Sequence, residues 1–376
     1  MNGDDNMYMM MTPGPTMVAE NVRIARSLET GNPDFDLDFV EYYKETCDLY
    51  SELLHTKNES LILSGEGILG LEAAVASLTE QGDRVLVLDN GVFGKGFADF
   101  VTMYGGEAVL YTTDYMKEID VEQLQAYLKE NSGFKYATVV HCDTPSGMLN
   151  PIDKICPLLK RYGILTVVDS VSGMFGNEVR VDEWGIDVLC GGSQKAISAP
   201  IGLTLVTISD DAKCVMKNRQ SKIASFYANL TVFDSYYEKK WFPYSMPISD
   251  IYGLRQALEN IKADDKFLER HHTVAQKTRS ALKRAGISLY ARNGYSDTVT
   301  VFQVPKGATA EQILDKMRKD YNILLAGSFD VLAGEVIRIG HMGYNCTDKN
   351  MKEVCTALNA VLHDLAVDLK QDIVYL

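Results

Sequence analysis

Short, almost uninterrupted apolar runs recur through the first two thirds of the chain, between stretches whose apolar residues follow helical spacing. The runs predict strands at 60–64, 84–89, 137–143, 164–169, 188–190 and 203–208. Helices are predicted at Phe39–Leu54, Leu69–Leu78 and Ile155–Tyr162. Strands that are apolar on both faces and alternate with helices are typical of a parallel sheet covered on both sides. The predicted fold class is therefore α/β, with a mostly parallel sheet sandwiched by helices.

The pattern changes after Ile248, where a long charged helical stretch at 250–285 leads away from the sheet. Beyond it, further strands are predicted at 287–291, 298–304 and 336–340. Thr309 and Gln312 predict a capping box at the start of a helix, and an amphipathic stretch at 347–369 predicts a closing helix. This succession indicates a smaller α+β C-terminal domain. We predict an N-terminal arm at 1–20, a large domain at 21–255 and a small domain at 256–376.

Composition limits the partners that this chain can have. Its 376 residues suggest two domains, and its net charge of −14 makes nucleic acid and anionic membranes unsuitable partners. The seven cysteines are odd in number and lie mostly in apolar runs, which is typical of reduced thiols. No apolar run is long enough to span a membrane, and the acidic N-terminus does not resemble a signal peptide. We expect a cytoplasmic protein.

Lys195 is the candidate reactive residue, because it follows an apolar run and the pair Gly191-Gly192. A buried lysine loses part of its proton affinity, and its amine can then form a Schiff base with an aldehyde. A second apolar run ends in Asp169, where a parallel strand reaches its carboxyl end. A lysine for an aldehyde and a carboxylate for a pyridinium nitrogen are the pair that a pyridoxal phosphate enzyme needs.

Residues 65–70 form a literal G-x-G-x-x-G that follows a predicted strand and opens a predicted helix. Asp89 lies 19 residues beyond Gly70, as in a dinucleotide-binding fingerprint. An NAD-dependent dehydrogenase is therefore the alternative from another enzyme class. Either enzyme would use the glycines to bring a phosphate close to amides at a helix N-terminus.

The ordered series of motifs resembles the class V aminotransferases of pyridoxal phosphate fold type I, in particular the alanine/serine–glyoxylate aminotransferases. The matching segments are Thr12–Pro15, Gly65–Ala74, Asn90–Gly94, His141–Gly147, Asp169-Ser170, Ser193–Ala196 and Arg338–Asn345. The resemblance implies a seven-stranded sheet in the large domain, pyridoxal 5′-phosphate as cofactor, and Lys195 and Asp169 as the catalytic residues.

The same resemblance assigns roles to further residues. It places the cofactor phosphate on the loop of Gly65, Glu66, Gly67 and Ile68, although relatives often have Ser or Thr at position 66. We expect the Glu66 side chain to turn away from this loop, because a carboxylate repels phosphate. Other implied cofactor contacts are Phe93 on the ring, Thr144, Gln194 and, from a partner subunit, Phe242 and Ser245. Arg338 and Gly14 are the implied substrate-binding residues.

The implied activity is transamination between a small amino acid, alanine or serine, and a 2-oxo acid, glyoxylate or pyruvate, in a homodimer. Within the same fold, a 2-aminoethylphosphonate–pyruvate transaminase is the alternative, although Gln194 replaces the asparagine usual there. No metal is expected, because successive strand residues such as His141, Cys142 and Asp143 face alternate sides of a sheet.

Overall fold

The computed structural model describes residues 8–376. Its strands in chain order are β1 Met9–Met10, β2 Glu59–Ser64, β3 Arg84–Asp89, β4 Glu107–Thr112, β5 Tyr136–Val140, β6 Cys142–Asp143, β7 Met148–Leu149, β8 Leu165–Asp169, β9 Val188–Gly192, β10 Leu203–Ile208, β11 Val299–Gln303, β12 Ile323–Leu324 and β13 Val336–Gly340.

Seven of these strands form one sheet in the order β2-β10-β9-β8-β5-β3-β4. The neighbours β9, β8, β5, β3 and β4 pair in parallel, whereas β10 runs antiparallel to both β2 and β9. The predicted α/β class with a mostly parallel, seven-stranded sheet is therefore confirmed. The carboxyl ends of β8 and β9 lie side by side, so Asp169 and the segment that follows Gly192 reach the same edge.

The helices are α1 Glu20–Arg26, α2 Leu37–Leu53, α3 Gly67–Leu78, α4 Val92–Met103, α5 Val121–Glu130, α6 Ile152–Arg161, α7 Val181–Trp184, α8 Asp210–Lys217, α9 Tyr236–Lys239, α10 Ile248–Ala263, α11 Phe267–Arg284, α12 Ala310–Tyr321 and α13 Asp348–Asp364. Short 3-10 turns occur at Leu230–Phe233, Asp330–Leu332 and Gly343–Asn345. None of the helices within residues 8–376 is long and apolar enough to cross a bilayer.

Local sequence signals explain where several helices begin and end. The predicted capping box is present at α12, where Thr309 accepts from the amide of Gln312 and the Gln312 side chain accepts from the amide of Thr309. Thr347 is the N-cap of α13, and its hydroxyl accepts from the amide of Asn350. The single long helix predicted at 250–285 is instead two helices, because the chain turns at Asp264, whose backbone is extended.

The interior consists of two large hydrophobic cores and a small third cluster, in which Cys142 packs against residues of β11 and β13. The large core lies around the seven-stranded sheet and reaches Ile261 of α10. The smaller core begins with Val274 of α11 and contains residues of β13, α12 and α13. The core therefore changes at the break between α10 and α11, a few residues beyond the predicted boundary at 255. Met11 also lies in the smaller core, where β1 pairs with β12.

Candidate active site

Lys195 lies in the turn that follows β9, at the carboxyl edge of the large sheet. Its amine donates a hydrogen bond to the carbonyl oxygen of Pro13 at 2.5 Å. Gly14 leaves room for it, because a Cβ atom there would lie 2.8 Å from Lys195 Nζ. Removal from water lowers the pKa of the Lys195 amine to about 8. About a tenth of this amine is therefore uncharged and nucleophilic at pH 7, far more than for an exposed lysine.

Asp169 is the last residue of β8, which pairs directly with β9, the strand that leads to Lys195. Its carboxylate is buried, and its Oδ1 accepts from the amide of Val171 at 2.9 Å. Burial raises the pKa of Asp169 to about 7, and the charges of Asp143 and Glu66 act in the same direction. A cation placed against this carboxylate would restore its ionised form. Lys195 and Asp169 are thus brought to one site, as the sequence predicts.

Thr144 is buried beside these residues, and its hydroxyl is 2.5 Å from that of Ser172. The preceding residue, Asp143, is a positioning residue that sequence reasoning missed. Its carboxylate accepts from the amide of Phe93 at 3.0 Å and from the hydroxyl of Ser146 at 2.6 Å. A Cβ atom on Gly91 would lie 2.6 Å from Asp143 Oδ2, so the glycine admits this contact. The sequence does contain a signal for Asp143, since it is an acidic residue that follows an apolar run.

Phe93 and Arg338 both contact Phe329, an aromatic residue that the motifs did not indicate. The Phe93 ring is 36% exposed and meets the Phe329 ring edge to face at 5.9 Å. The Arg338 guanidinium lies 5.6 Å from the centre of the Phe329 ring, and its Nε donates to the carbonyl of Gly327 at 2.6 Å. No acidic side chain of residues 8–376 forms a salt bridge with Arg338, and burial lowers its pKa. The guanidinium can therefore receive an anion.

The G-x-G-x-x-G loop joins β2 to α3, and the structure corrects our expectation for Glu66. Its side chain does not turn away: Oε1 accepts from the amide of Ile68 at 3.1 Å and caps α3. Its Oε2 accepts from Nε2 of Gln194 at 3.0 Å. The reason is that the N-terminus of a helix attracts negative charge, and this carboxylate is close enough to supply it.

Glycines of the loop also have a packing role. A Cβ atom on Gly70 would lie 2.5 Å from the hydroxyl of Thr204, so α3 can approach β10 closely only with glycine there. On Gly67, a Cβ atom would lie 2.8 Å from the Val171 side chain. The third glycine of the motif therefore serves helix–sheet packing, which does not depend on a dinucleotide.

Phe242 and Ser245, the predicted contacts to a partner subunit's cofactor, have other neighbours within this chain. Phe242 is 4% exposed and stacks on Tyr236 within a cluster that also includes Phe39 and Tyr43. Its ring packs in the core and does not extend from the surface, because the aromatic cluster supplies it with a complete apolar environment. Ser245 is exposed, and its hydroxyl donates to Asp34 at 2.9 Å. Within residues 8–376 there is also no cluster of three His, Cys, Asp or Glu side chains that could hold a metal.

Comparison with known proteins agrees with this geometry. Residues 21–369 match the family described as aminotransferase class-V. An uncharacterized aminotransferase of Methanocaldococcus jannaschii is 33% identical over 96% of this chain and 94% of its own length. The pyridoxamine–pyruvate transaminase of Mesorhizobium japonicum is 31% identical over 82% of this chain and 80% of its own length.

Among solved structures, ureidoglycine–glyoxylate aminotransferase from Bacillus subtilis superimposes with a TM-score of 0.94 at 28% identity. The superposition covers 99% of this chain and 97% of that one. The family match decides between the two enzyme classes that the G-x-G-x-x-G loop left open, and it favours the aminotransferase. The chain belongs to the class V aminotransferases.

Proposed function

We propose that this enzyme moves an amino group between a small amino acid, alanine or serine, and a 2-oxo acid, glyoxylate or pyruvate. The family resemblance implies pyridoxal 5′-phosphate as the carrier, held on Lys195. The observation that carries this proposal is the amine of lowered pKa at Lys195 beside the buried carboxylate of Asp169. Glyoxylate and pyruvate are the oxo acids named for the Bacillus and Mesorhizobium relatives.

The Lys195 end of the site fits the aldehyde and the pyridine ring that all pyridoxal compounds share. When bound, such a ring withdraws electrons from the α-carbon of an amino acid and makes its hydrogen acidic. Lys195 can serve this chemistry in two ways, because an amine with a pKa of about 8 can capture an aldehyde and can later accept a proton. Proton exchange at Lys195 Nζ is the step that we assign to this side chain.

Asp169 tunes the ring electrostatically in this proposal. Its carboxylate is buried, so its pKa of about 7 in the ligand-free protein reflects the cost of an unpaired charge. A pyridinium nitrogen beside it would supply the missing counter-charge and keep both groups ionised. The carboxylate can then hold the proton on the ring nitrogen.

Arg338 is the proposed anchor for the substrate carboxylate. Its guanidinium is half-buried, interacts with the Phe329 ring, and uses Nε for the Gly327 carbonyl. The terminal nitrogens therefore remain available for a two-point contact with a carboxylate. No acidic side chain of the described residues lies within salt-bridge distance of Arg338, and the charge of Asp143 acts on it only from farther away.

Reduction with borohydride tests the proposal. Protein loaded with pyridoxal phosphate or pyridoxal should carry the reduced pyridoxyl group on the peptide that contains Lys195. The Lys195→Arg variant keeps the positive charge but not the nucleophile, because the guanidinium stays protonated, and should carry no label. Label on another lysine, or none with either compound, would contradict the assignment.

The substrate class is tested on the same preparation. Alanine or serine should convert the aldehyde form of the bound group to its amine form, and glyoxylate or pyruvate should reverse the absorbance change. Aminoethylphosphonate has a phosphonate in place of the carboxylate. If it converts the bound group far faster than alanine and serine do, the phosphonate transaminase is the better description.

We further propose that the enzyme acts as a cytoplasmic homodimer. The cysteines support a reducing compartment, because all seven are free and six of them are buried. The dimer follows from the family resemblance and from the exposed apolar surface of the large domain, on which Phe35 and Trp241 are 82% and 55% exposed.

A further inference from the structure

The N-terminus of α3, where a cofactor phosphate is expected, is filled by a side chain of this protein. The Glu66 carboxylate caps the helix through the amide of Ile68 and is held on its other oxygen by Gln194. We propose that this end of the site takes the neutral 5′-hydroxymethyl group of an unphosphorylated vitamer, pyridoxal or pyridoxamine, in preference to a 5′-phosphate. The inference rests on the proposed function, since it assumes that the ring is held at Lys195.

The loop has few free hydrogen-bond donors for a phosphate. A phosphate at a helix N-terminus is held by the free amides of the first turn. Here the Ile68 amide already donates to Glu66, at 3.1 Å. A phosphate would have to displace this carboxylate or share the helix end with it. Two anions at one helix end repel each other, and the partial positive charge of the helix is about half an elementary charge.

Gln194, which is 6% exposed, holds the Glu66 carboxylate in place. Its Nε2 donates to Glu66, and this contact fixes the orientation of the amide, because the opposite orientation would place two acceptors together. Its Oε1 is enclosed beside Gly192, where a Cβ atom would lie 2.8 Å from it. A hydroxyl group of a ligand can donate to the Glu66 carboxylate that Gln194 holds in place, whereas a phosphate dianion brings only further acceptors.

Glu66 has no close cationic partner. No Lys or Arg side chain of residues 8–376 forms a salt bridge with Glu66, so none of them is placed to neutralise both this carboxylate and a phosphate. The Glu66 charge also reaches the reaction centre, where it favours the charged form of Lys195 and the neutral form of Asp169. A neutral hydroxymethyl group leaves this balance unchanged.

Titration of the cofactor-free protein tests the proposal. Pyridoxal and pyridoxal phosphate are added separately, and the absorbance of the Schiff base at Lys195 gives a dissociation constant for each. Wild-type protein should bind pyridoxal about 10- to 100-fold more tightly, the range of one charged hydrogen bond gained or lost. Glu66→Ser should reverse this preference. Serine is itself a good N-cap, so α3 should keep its stability.

Glu66→Gln is the matched control, because it removes the charge while keeping the size of the side chain. It should improve binding of pyridoxal phosphate and leave pyridoxal binding within a few-fold of wild type. The melting temperatures of the three proteins, measured without ligand, show whether either variant has lost its fold.

The outcomes separate this inference from the proposed function. Wild-type protein that binds pyridoxal phosphate as tightly as pyridoxal, or tighter, overturns the inference and leaves the aminotransferase proposal intact. Binding of neither compound at Lys195 overturns both. As a further readout, pyridoxamine and pyruvate should yield pyridoxal and alanine. The amino group and the carbonyl oxygen are exchanged between the two compounds, and no other reactant is consumed. Failure of this exchange with bound pyridoxamine would also count against the inference.

Discussion

Lys195 and Asp169 reach one site from neighbouring strands, and burial moves the pKa values of both toward neutrality. A buried amine that loses its proton readily and a carboxylate that lacks a counter-charge are unfavourable for stability but suited to an aldehyde and a pyridinium ring. The Glu66 carboxylate at the same site differs, because it already accepts hydrogen bonds from Ile68 and Gln194. The reactive end of the site is thus open to a ligand, whereas the loop end already contains an anion.

Asp169→Asn should separate the effect of this carboxylate on stability from its effect on chemistry. Because the folded-state pKa of Asp169 is raised to about 7, the folded protein retains a proton between about pH 4 and pH 7 that the unfolded chain has lost. Stability should therefore fall as pH rises through this window, by up to about 1.4 kcal/mol per pH unit. Ligand-free Asp169→Asn should lack this loss.

Unfolding in urea at pH 5 and pH 8 measures this difference. The variant should gain stability relative to wild type at pH 8, and the gain should shrink toward pH 5. Amine transfer by the variant should fall by at least about 100-fold, because the ring loses its counter-charge. The same pH dependence in both proteins, together with near-normal turnover, would remove Asp169 from the site.

At the scale of elements, the sequence predicts those strands best that are buried on both faces. β3, β10 and β13 have the predicted bounds, because each is a short and mostly apolar run. β4 was not predicted, since this edge strand is only half-buried and its sequence mixes polar and apolar residues. The break between α10 and α11 was missed as well, because charged residues continue through it without a proline or glycine.

The same limits apply to the candidate site. Lys195, Asp169 and Arg338 could be predicted, because each places a charge at or within an apolar run. Phe329 could not be predicted, since an aromatic residue in a loop carries no local signal of what it faces. Phe242 lies in a motif that resembles a dimer contact, but tertiary packing places its ring in the core. Long-range contacts of this kind are not encoded in a short motif.

The segment that joins β1 to α1 contributes Gly14 to the site, and Gly14→Ala tests its role. Gly14 has φ +89, and a Cβ atom there would lie 2.8 Å from Lys195 Nζ. Gly82→Ala is the matched control, because Gly82 has φ +83 but nothing within 4 Å of its Cβ position. Both variants should lose about 1–2 kcal/mol of stability through backbone strain.

Only Gly14→Ala should also slow the capture of pyridoxal by Lys195, by at least about tenfold, because the amine must move from its place. Denaturant unfolding gives the stability of each variant, and stopped-flow absorbance gives the capture rate. Equal capture rates in the two variants would show that Gly14 does not position Lys195.

At the scale of the whole molecule, the site lies where segments of both cores meet. Asp169 and Lys195 belong to the sheet of the large core, whereas Arg338 lies on β13 of the small one. Residues 9–15 connect the two, because β1 pairs with β12 and Pro13 accepts from Lys195. A relative motion of the two units would therefore change the distance between the proposed carboxylate anchor and the reactive amine.

The large domain also exposes apolar side chains on two segments that lie next to each other. Ile24, Leu28, Phe35 and Leu37 are each more than half exposed, as is Trp241. Ser245 donates to Asp34, so the segment around Trp241 lies beside the one around Phe35. An apolar surface of this kind marks a contact with another protein, and we expect it to be the interface of a twofold homodimer.

Phe35→Asp should weaken this dimer, because it introduces a charge at the position with 82% exposure. A side chain at the centre of an interface contributes about 2 kcal/mol or more, which corresponds to a dissociation constant raised by at least about 30-fold. Leu376→Asp is the control, since Leu376 is 74% exposed but lies at the C-terminus, beside the small core. Sedimentation velocity at assay concentration should show a dimer for wild type and Leu376→Asp and a shift toward monomer for Phe35→Asp.

An active wild-type monomer at that concentration would contradict the predicted dimer. If Leu376→Asp dissociates to the same degree as Phe35→Asp, the interface does not lie on the surface around Phe35.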